Sequence, residues 1–90
     1  MDITRELRLA ISSGRVYFGF KQALKAQEKK EAKLFILSDN CPRDFEEQLQ
    51  GRKYRFRGNS RTLGEVCGKR FAVSVLTVVD EGDSSILQLR

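Results

Sequence analysis

The sequence of 90 residues contains no histidine, no tryptophan, only one proline and only two cysteines. Without histidine there is no Ser-His-Asp triad, no imidazole general base and no histidine-containing zinc site. Two cysteines alone do not complete a four-ligand zinc site. The composition therefore disfavours an enzyme, and we expect no catalytic residue, no metal, no cofactor and no small-molecule substrate.

The chain also lacks the features of exported and membrane-spanning proteins. Charged residues begin at Asp2 and recur through the first turns, unlike in a signal peptide. The longest apolar stretch, residues 71–79, contains polar side chains and is too short to cross a bilayer. Cys41 and Cys67 could form one disulfide, but small secreted domains usually carry more. We therefore expect a cytoplasmic protein with two free thiols and no membrane partner.

Length and charge point to one small domain that meets a polyanion. Ninety residues allow a single modest core, and the few glycines and prolines argue against a long disordered tail. Residues 51–70 carry a net charge of +6, with Glu65 as the one acidic residue, whereas the other 70 residues sum to −1. Such a block is typical of nucleic-acid binding. The alternative is a solvated cationic face without a partner.

Hydrophobic periodicity predicts helices that alternate with strands. Helices are expected at residues 3–11, 20–31, 42–50 and 61–67, and strands at residues 16–18, 33–37, 53–57 and 71–79. Asp2 and Ser60 are expected to cap the first and last helix, and Gly14 to end the first in the left-handed conformation. Residues 86–89 could add a final edge strand. The order predicts one domain over residues 1–90, a three-layer α/β/α sandwich with a central four-stranded mixed sheet and a possible fifth strand.

The first segment suited to nucleic acid joins a strand to a helix at Gly19, Phe20 and Lys21. Free backbone N–H groups at a helix start attract phosphate, and glycine lets a nucleic-acid backbone come close. Lys25 follows on the same helix face. The alternative is an ordinary turn with solvated lysines. The segment lacks the glycine pattern of nucleotide-cofactor loops.

Two further segments have a similar character. In residues 40–43, Asn40 could pair with bases or phosphates, or could simply cap the following helix. In residues 68–73, Phe71 beside Lys69 has the make-up of a base-stacking platform with phosphate clamps. The competing interpretation places Phe71 in the core, at the start of a strand.

Together these segments resemble the L30e family of archaeal and eukaryotic large-subunit ribosomal proteins, within the kink-turn RNA-binding superfamily. The likeness runs from Asp2 to Leu89 and rests on short motifs in a shared order: Asp2-Ile3 to Gly14, Gly19-Phe20-Lys21 with Lys25, Lys33-Leu34 to Asn40 and Pro42, Leu63-Gly64 with Gly68-Lys69 and Phe71, and residues 80–87. The segment between Pro42 and Tyr54 is shorter than is usual in the family, so we expect a short third helix. Residues 52–57 are more basic than usual, which suggests a second contact face for ribosomal RNA.

The resemblance implies an α/β/α sandwich that binds a kink-turn, a sharply bent and internally looped RNA, within ribosomal RNA. By resemblance, the first segment approaches phosphates and bases, the second hydrogen-bonds them, and Phe71 stacks on an unpaired base. The residues implied in RNA binding are Gly19, Phe20, Lys21, Lys25, Asn40, Arg43, Ser60, Lys69, Phe71 and Val73. The implied partners are large-subunit ribosomal RNA and neighbouring ribosomal proteins, with a monomer expected off the ribosome.

Two alternatives remain open from the sequence. A kink-turn protein of a small ribonucleoprotein, or one that binds its own transcript, keeps the fold and changes the target. A small α/β enzyme, or a protein-interaction module with an incidentally basic face, changes the class of function. A steep salt dependence of binding to bent RNA would favour an RNA-binding protein over an enzyme or a protein-interaction module.

Overall fold

The computed structural model describes residues 2–88, in which α-helices and strands alternate as predicted. The elements are α1 (Ile3–Ser13), β1 (Arg15–Phe18), α2 (Phe20–Glu28), β2 (Leu34–Leu37), α3 (Arg43–Gln48), β3 (Lys53–Arg55), α4 (Ser60–Val66), β4 (Val75–Asp80) and a 3-10 helix (Ile86–Gln88). The short third helix, α3, has six residues, in agreement with the prediction. None of the helices in this range is long and apolar enough to span a membrane.

The four strands form one mixed sheet in the order β1-β4-β2-β3, which confirms the predicted four-stranded mixed sheet. Strand β4 pairs antiparallel with β1 and with β2, whereas β2 and β3 are parallel. The carboxyl ends of β1, β2 and β3 therefore lie beside the amino end of β4. We call this side of the sheet, where Phe18, Leu37 and Arg55 end their strands and Val75 begins β4, the loop edge.

Apolar clusters cover both faces of the sheet and give the predicted three layers. On one face α1 and α4 pack on the sheet through Leu7, Ala10, Leu34, Ile36, Phe56, Leu63, Cys67, Val73, Leu76, Val78 and Ile86. The other face carries a cluster of Ala23, Phe35, Leu37, Leu49 and Val75, with Phe20 of α2 and Phe45 of α3 packed against it. All four residues of β2 are buried, as expected for a continuous apolar strand with helices on both sides. Tyr54 and Phe56 both face the α1 and α4 side, as their spacing predicts.

The structure corrects the predicted end of α2. This helix ends at Glu28, three residues before the predicted end, because Lys30 adopts a left-handed φ of 59°. The Lys30 N–H donates to the Gln27 carbonyl at 3.0 Å, and the Glu31 N–H to the Ala26 carbonyl at 2.9 Å. This pattern is a Schellman motif, which closes a helix usually at glycine.

Two strand predictions near the end of the chain are also wrong. Strand β4 begins at Val75 and not at Phe71, so residues 71–74 belong to the loop before it. Residues 86–88 form a 3-10 helix instead of a fifth strand, and Leu89, the last residue of that predicted strand, lies outside the described residues.

Helix caps agree with the sequence at α1 and differ at α4. Asp2 Oδ1 accepts hydrogen bonds from the Thr4 N–H at 3.1 Å and the Arg5 N–H at 3.4 Å, as predicted. The cap of α4 is Asn59 and not Ser60, since Asn59 Oδ1 accepts from the Thr62 N–H at 2.9 Å. Ser60 is instead the first helical residue, so its own N–H is left without an intrahelical partner.

Gly14 ends α1 for a reason other than the one predicted. Its φ is −111°, so it does not adopt the left-handed conformation. A Cβ at Gly14 would lie 2.1 Å from the Asp80 carbonyl oxygen and 2.8 Å from the Gly82 nitrogen. Glycine is therefore required because the turn after β4 packs directly against the end of α1.

Candidate nucleic-acid interface

The three predicted segments come together at the loop edge. They occupy the β1–α2 connection at Gly19, the β2–α3 loop at residues 38–42 and the α4–β4 loop at residues 67–74. The Gly19 N–H donates to the Val75 carbonyl at 2.9 Å, and the Ser38 N–H donates to the Ser74 carbonyl at 3.0 Å. The start of β4 therefore holds the first and second loops in place, and the third loop leads directly into it.

The first loop combines a left-handed glycine with a basic helix. Gly19 has a φ of 98°, which a residue with a Cβ adopts only under strain, and it directly precedes α2. Lys21 and Lys25 lie exposed one turn apart on α2. The Phe20 ring stacks on the Phe45 ring, with centroids 4.0 Å apart and planes 7° apart, which ties α2 to α3. One face of Phe20 is therefore occupied within the protein, and its RNA contact stays a prediction.

The second loop is fixed to α4 through the side chain of Asn40. Its Oδ1 accepts hydrogen bonds from the Ser60 backbone N–H at 2.8 Å and from the Ser38 hydroxyl at 2.9 Å. Its Nδ2 lies 3.4 Å from the Ser60 hydroxyl oxygen. An amide nitrogen carries two hydrogens, so at least one remains for a ligand. The alternative role as a cap of α3 is wrong, since the start of α3 has no side-chain cap. Arg43, the first residue of α3, is exposed beside this loop.

The third loop is anchored to the same point of α4. The Val73 N–H donates to the Ser60 carbonyl at 2.9 Å, so Ser60 bonds both the second loop and the third. The Val73 side chain is 2% exposed and belongs to the core, so it does not offer RNA the surface contact that the resemblance implies. Gly64 of α4 is buried against this loop, where a Cβ would lie 2.1 Å from the Phe71 carbonyl oxygen.

Phe71 is an exposed aromatic side chain held by this anchored loop. It is 57% exposed and lies outside β4, so the interpretation as a core residue is wrong. An exposed ring beside cations can stack on a nucleobase. Phe71 borders a surface groove of about 320 Å³, whose lining is Arg61, Glu65, Lys69, Arg70, Phe71 and Ala72. The base-stacking platform predicted from the sequence is therefore geometrically available.

Lys69 connects the third loop to the end of β1, next to the first loop. Its ammonium nitrogen lies 4.7 Å from the centroid of the Phe18 ring, the last residue of β1, in a cation–π arrangement. Gly68 provides the turn that brings Lys69 there, with a φ of 75° after the end of α4. Lys69 thus brings positive charge to the loop edge and also fixes the third loop to the sheet.

Part of the basic block stabilises the fold instead of facing outward. Lys53 Nζ donates to the Glu46 carbonyl at 2.9 Å, and the Arg55 guanidinium pairs with the Glu46 carboxylate. These contacts hold the edge strand β3 to α3, so the second RNA face expected at residues 52–57 is partly used within the protein. Within residues 2–88, no ion pair with a carboxylate involves Arg57, Arg61 or Arg70.

The two cysteines are free thiols with suppressed reactivity. Burial raises the pKa of Cys67 to about 11, against a smaller opposing effect of Lys69. Burial also raises the pKa of Cys41, with a further increase from Glu46 and a decrease from Arg55. Both thiols are therefore protonated and poorly nucleophilic near neutral pH. No group of three or more metal-ligating side chains occurs between residues 2 and 88.

The sequence alone did not predict that residues of α4 and of the third loop line one groove beside Phe71. Arg61 and Glu65 line it from α4, while Arg70 lines it from the third loop. The spacing of four between Arg61 and Glu65 on a predicted helix was a usable signal, because such residues share one helix face. What the sequence does not show is that the loop folds back onto that same face of the helix.

The fold and the loop edge define a small α/β/α sandwich whose basic loops gather at one end of a mixed sheet. The profile of the "Ribosomal protein L7Ae/L30e/S12e/Gadd45 family" matches residues 1–88. Similar proteins include the large ribosomal subunit protein eL30 of Methanospirillum hungatei, which is 40% identical over 93 residues, covering 99% of this chain and 98% of that protein.

Two further proteins with the same name cover the chain equally well. The eL30 protein of Methanococcus maripaludis is 38% identical over 96 residues, covering 99% of this chain and 91% of that protein. The eL30 protein of Methanosphaera stadtmanae is 35% identical over 97 residues, covering 100% of this chain and 99% of that protein. The chain therefore belongs to the L7Ae/L30e/S12e/Gadd45 family of ribosomal proteins, which confirms the resemblance inferred from its motifs. The expectation of a non-catalytic protein agrees with this family.

Proposed function

We propose that this protein is a structural component of the large ribosomal subunit that binds a kink-turn of ribosomal RNA at the loop edge, without catalysis. The observation that carries the proposal is the exposed Phe71 ring, held among cations where three anchored loops meet. Membership of a ribosomal protein family and relatives named as large-subunit proteins support the ribosomal target. The protein would act on cytoplasmic ribosomes, beside neighbouring ribosomal proteins, and would be monomeric off the ribosome.

The three loops suit the features that a sharp bend creates in RNA. A bend exposes unstacked bases, and proteins recognise such bases by stacking them on aromatic rings and hydrogen-bonding their edges. Phe71 supplies the ring, and the free Nδ2 hydrogen of Asn40 supplies a donor. Lys21 and Lys25, exposed on α2, would meet phosphates of the strand that passes the bend.

Preorganisation explains how this surface would select bent RNA over straight duplex. Hydrogen bonds through Asn40, Ser60 and Val73 join the second and third loops, and the Gly19 N–H bonds the first loop to the start of β4, so their relative positions are set by the fold. A fixed arrangement spends little of its binding free energy on ordering the protein. A straight duplex presents stacked bases, which Phe71 cannot reach, and would keep only the phosphate contacts.

Crosslinking on purified ribosomes tests this proposal. Ultraviolet crosslinks from large subunits that contain the protein should map to one internal loop of the ribosomal RNA, with Phe71 or its neighbours as the crosslinked residues. Crosslinks from Lys33 or α1, on other parts of the surface, would contradict the orientation. Recovery of the protein only in a small ribonucleoprotein, or on its own transcript, would contradict the ribosomal target.

A further inference from the structure

The groove beside Phe71 contains one carboxylate among three cations. Glu65 projects from α4, and Arg61, Lys69 and Arg70 line the same groove. Its volume of about 320 Å³ is at the low end of the roughly 300–1,000 Å³ of small-molecule sites. Phe71 forms one part of its wall and offers the stacking surface.

The fold does not explain why a glutamate occupies position 65. Its side chain is exposed and has no hydrogen bond or ion pair within residues 2–88, although three cations share its groove. Glu65 also lies in the last turn of α4, where the negative end of the helix dipole disfavours a carboxylate. Three glutamates have partners: Glu6 accepts from Ser84 and Ser85, Glu46 pairs with Arg55, and Glu81 pairs with Lys33. Glu28, Glu31 and Glu47 are exposed without such a partner among residues 2–88, but none of these three lines the groove with its three cations.

A carboxylate in this position has a specific chemical use beside an unpaired base. A carboxylate only accepts hydrogen bonds, and its two oxygens can receive two parallel donors. The Watson–Crick edge of guanine offers two adjacent donors, the N1–H and the 2-amino group. Adenine and cytosine place a ring acceptor beside their amino group, and uracil offers a single N–H between two carbonyls. Guanine is therefore the base that matches a carboxylate best.

We propose that the Glu65 carboxylate reads the Watson–Crick edge of an unpaired base stacked on Phe71, and that it selects guanine. This inference rests on the proposed binding of bent RNA and adds a base preference to it. Arg61 and Arg70, which line the same groove, would hold the phosphates that flank the base. The local positive charge would then offset the repulsion between Glu65 and the RNA backbone.

The test uses kink-turn RNAs that differ only in their looped-out nucleotide, which is guanine, adenine, cytosine, uracil or inosine. Inosine lacks the 2-amino group of guanine. The wild-type protein should bind the guanine RNA about tenfold more tightly than the adenine, cytosine or uracil RNA, with inosine in between. Glu65→Gln should lose most of this preference and bind the other RNAs at least as tightly as wild type, because a negative charge is removed.

Glu28→Gln is the matched control, since Glu28 is also an exposed glutamate at the end of a helix, α2, but lies outside the groove. It should keep the wild-type preference. Both variants should melt at the wild-type temperature because both side chains are exposed. The inference is overturned if Glu65→Gln retains the guanine preference, or if wild type prefers bent RNA but ignores the base. Equal wild-type binding to bent and straight RNA would overturn the proposed function as well.

Discussion

The Oδ1 atom of Asn40 lies 2.8 Å from the backbone nitrogen of Ser60, which donates a hydrogen bond to it across 20 residues of sequence. The carbonyl of Ser60 in turn accepts from the Val73 N–H at 2.9 Å. One residue of α4 therefore fixes both the second and the third loop. This link is possible because Ser60 lies at the start of α4, where backbone N–H groups have no intrahelical partner.

Asn40→Asp separates the structural role of this side chain from its role in binding. An aspartate keeps the oxygen that accepts from Ser60 and Ser38, so stability should change little. It loses the amide donor and adds a negative charge, so kink-turn binding should weaken by about 1–3 kcal/mol. Thermal melting and a binding titration measure the two effects.

Asn40→Ala is the comparison for that experiment. It removes the acceptor as well, so the exposed Ser60 N–H keeps only water as a partner, which should lower the free energy of unfolding by about 0.5–1.5 kcal/mol. If Asn40→Asp binds RNA as tightly as wild type, Asn40 serves the fold alone and has no place in the RNA contact.

Phe71→Ala should weaken kink-turn binding without unfolding the protein. Stacking of a base on an aromatic ring contributes about 1–3 kcal/mol, and this ring is 57% exposed. Phe56→Ala is the matched control, since Phe56 is 6% exposed in the core and its truncation should cost about 3–5 kcal/mol of stability. A loss of stability in Phe71→Ala similar to that in Phe56→Ala would show that the ring supports the fold.

Lys21→Ala should change how the binding constant depends on salt. Each phosphate contact contributes a slope of roughly 0.7–0.9 in a plot of log K against log salt concentration, so the slope should fall by about that amount. Lys33→Ala is the control, because Lys33 pairs with Glu81 at the end of the sheet opposite the loop edge. An unchanged slope in Lys21→Ala would remove Lys21 from the phosphate contacts.

Thr77→Val should stabilise the protein. The Thr77 hydroxyl is buried in β4, and its oxygen is a buried side-chain atom without a hydrogen-bond partner among residues 2–88. Replacing it with a methyl group of similar shape removes the cost of an unpaired polar group, about 1–3 kcal/mol. The melting temperature should rise while RNA affinity stays constant. Thr62→Val, at an exposed position, should change the melting temperature little, and a fall in Thr77→Val would mean the hydroxyl is satisfied.

The layered fold could be predicted from the sequence because local patterns agree with the tertiary structure. The continuous apolar run at residues 34–37 is buried on both faces, as its composition indicates. Predictions failed where tertiary contacts override local preference. Phe71 and Val73 are strand formers, yet residues 71–74 lie outside the sheet, and the backbone of residues 71 and 72 packs on Gly64 of α4 instead.

The three binding segments could be found from the sequence, but not the bonds that join them. Glycine, basic and aromatic residues marked the first and third loops, and Asn40 marked the second. The bond between Asn40 and Ser60 depends on where α4 begins and on strand order, so neither segment alone contains that information. The unpaired Glu65 likewise became informative only once the groove and its cations were visible.

The central claim is that a preorganised edge recognises bent RNA. The most direct measurement is the ratio of the dissociation constants for a kink-turn RNA and for a straight duplex of the same length, across a series of salt concentrations. The account predicts tighter binding of the kink-turn at every concentration, with a ratio that persists at high salt because base stacking on Phe71 is not electrostatic. Equal affinity for the two RNAs, or a preference that vanishes as salt rises, would contradict it.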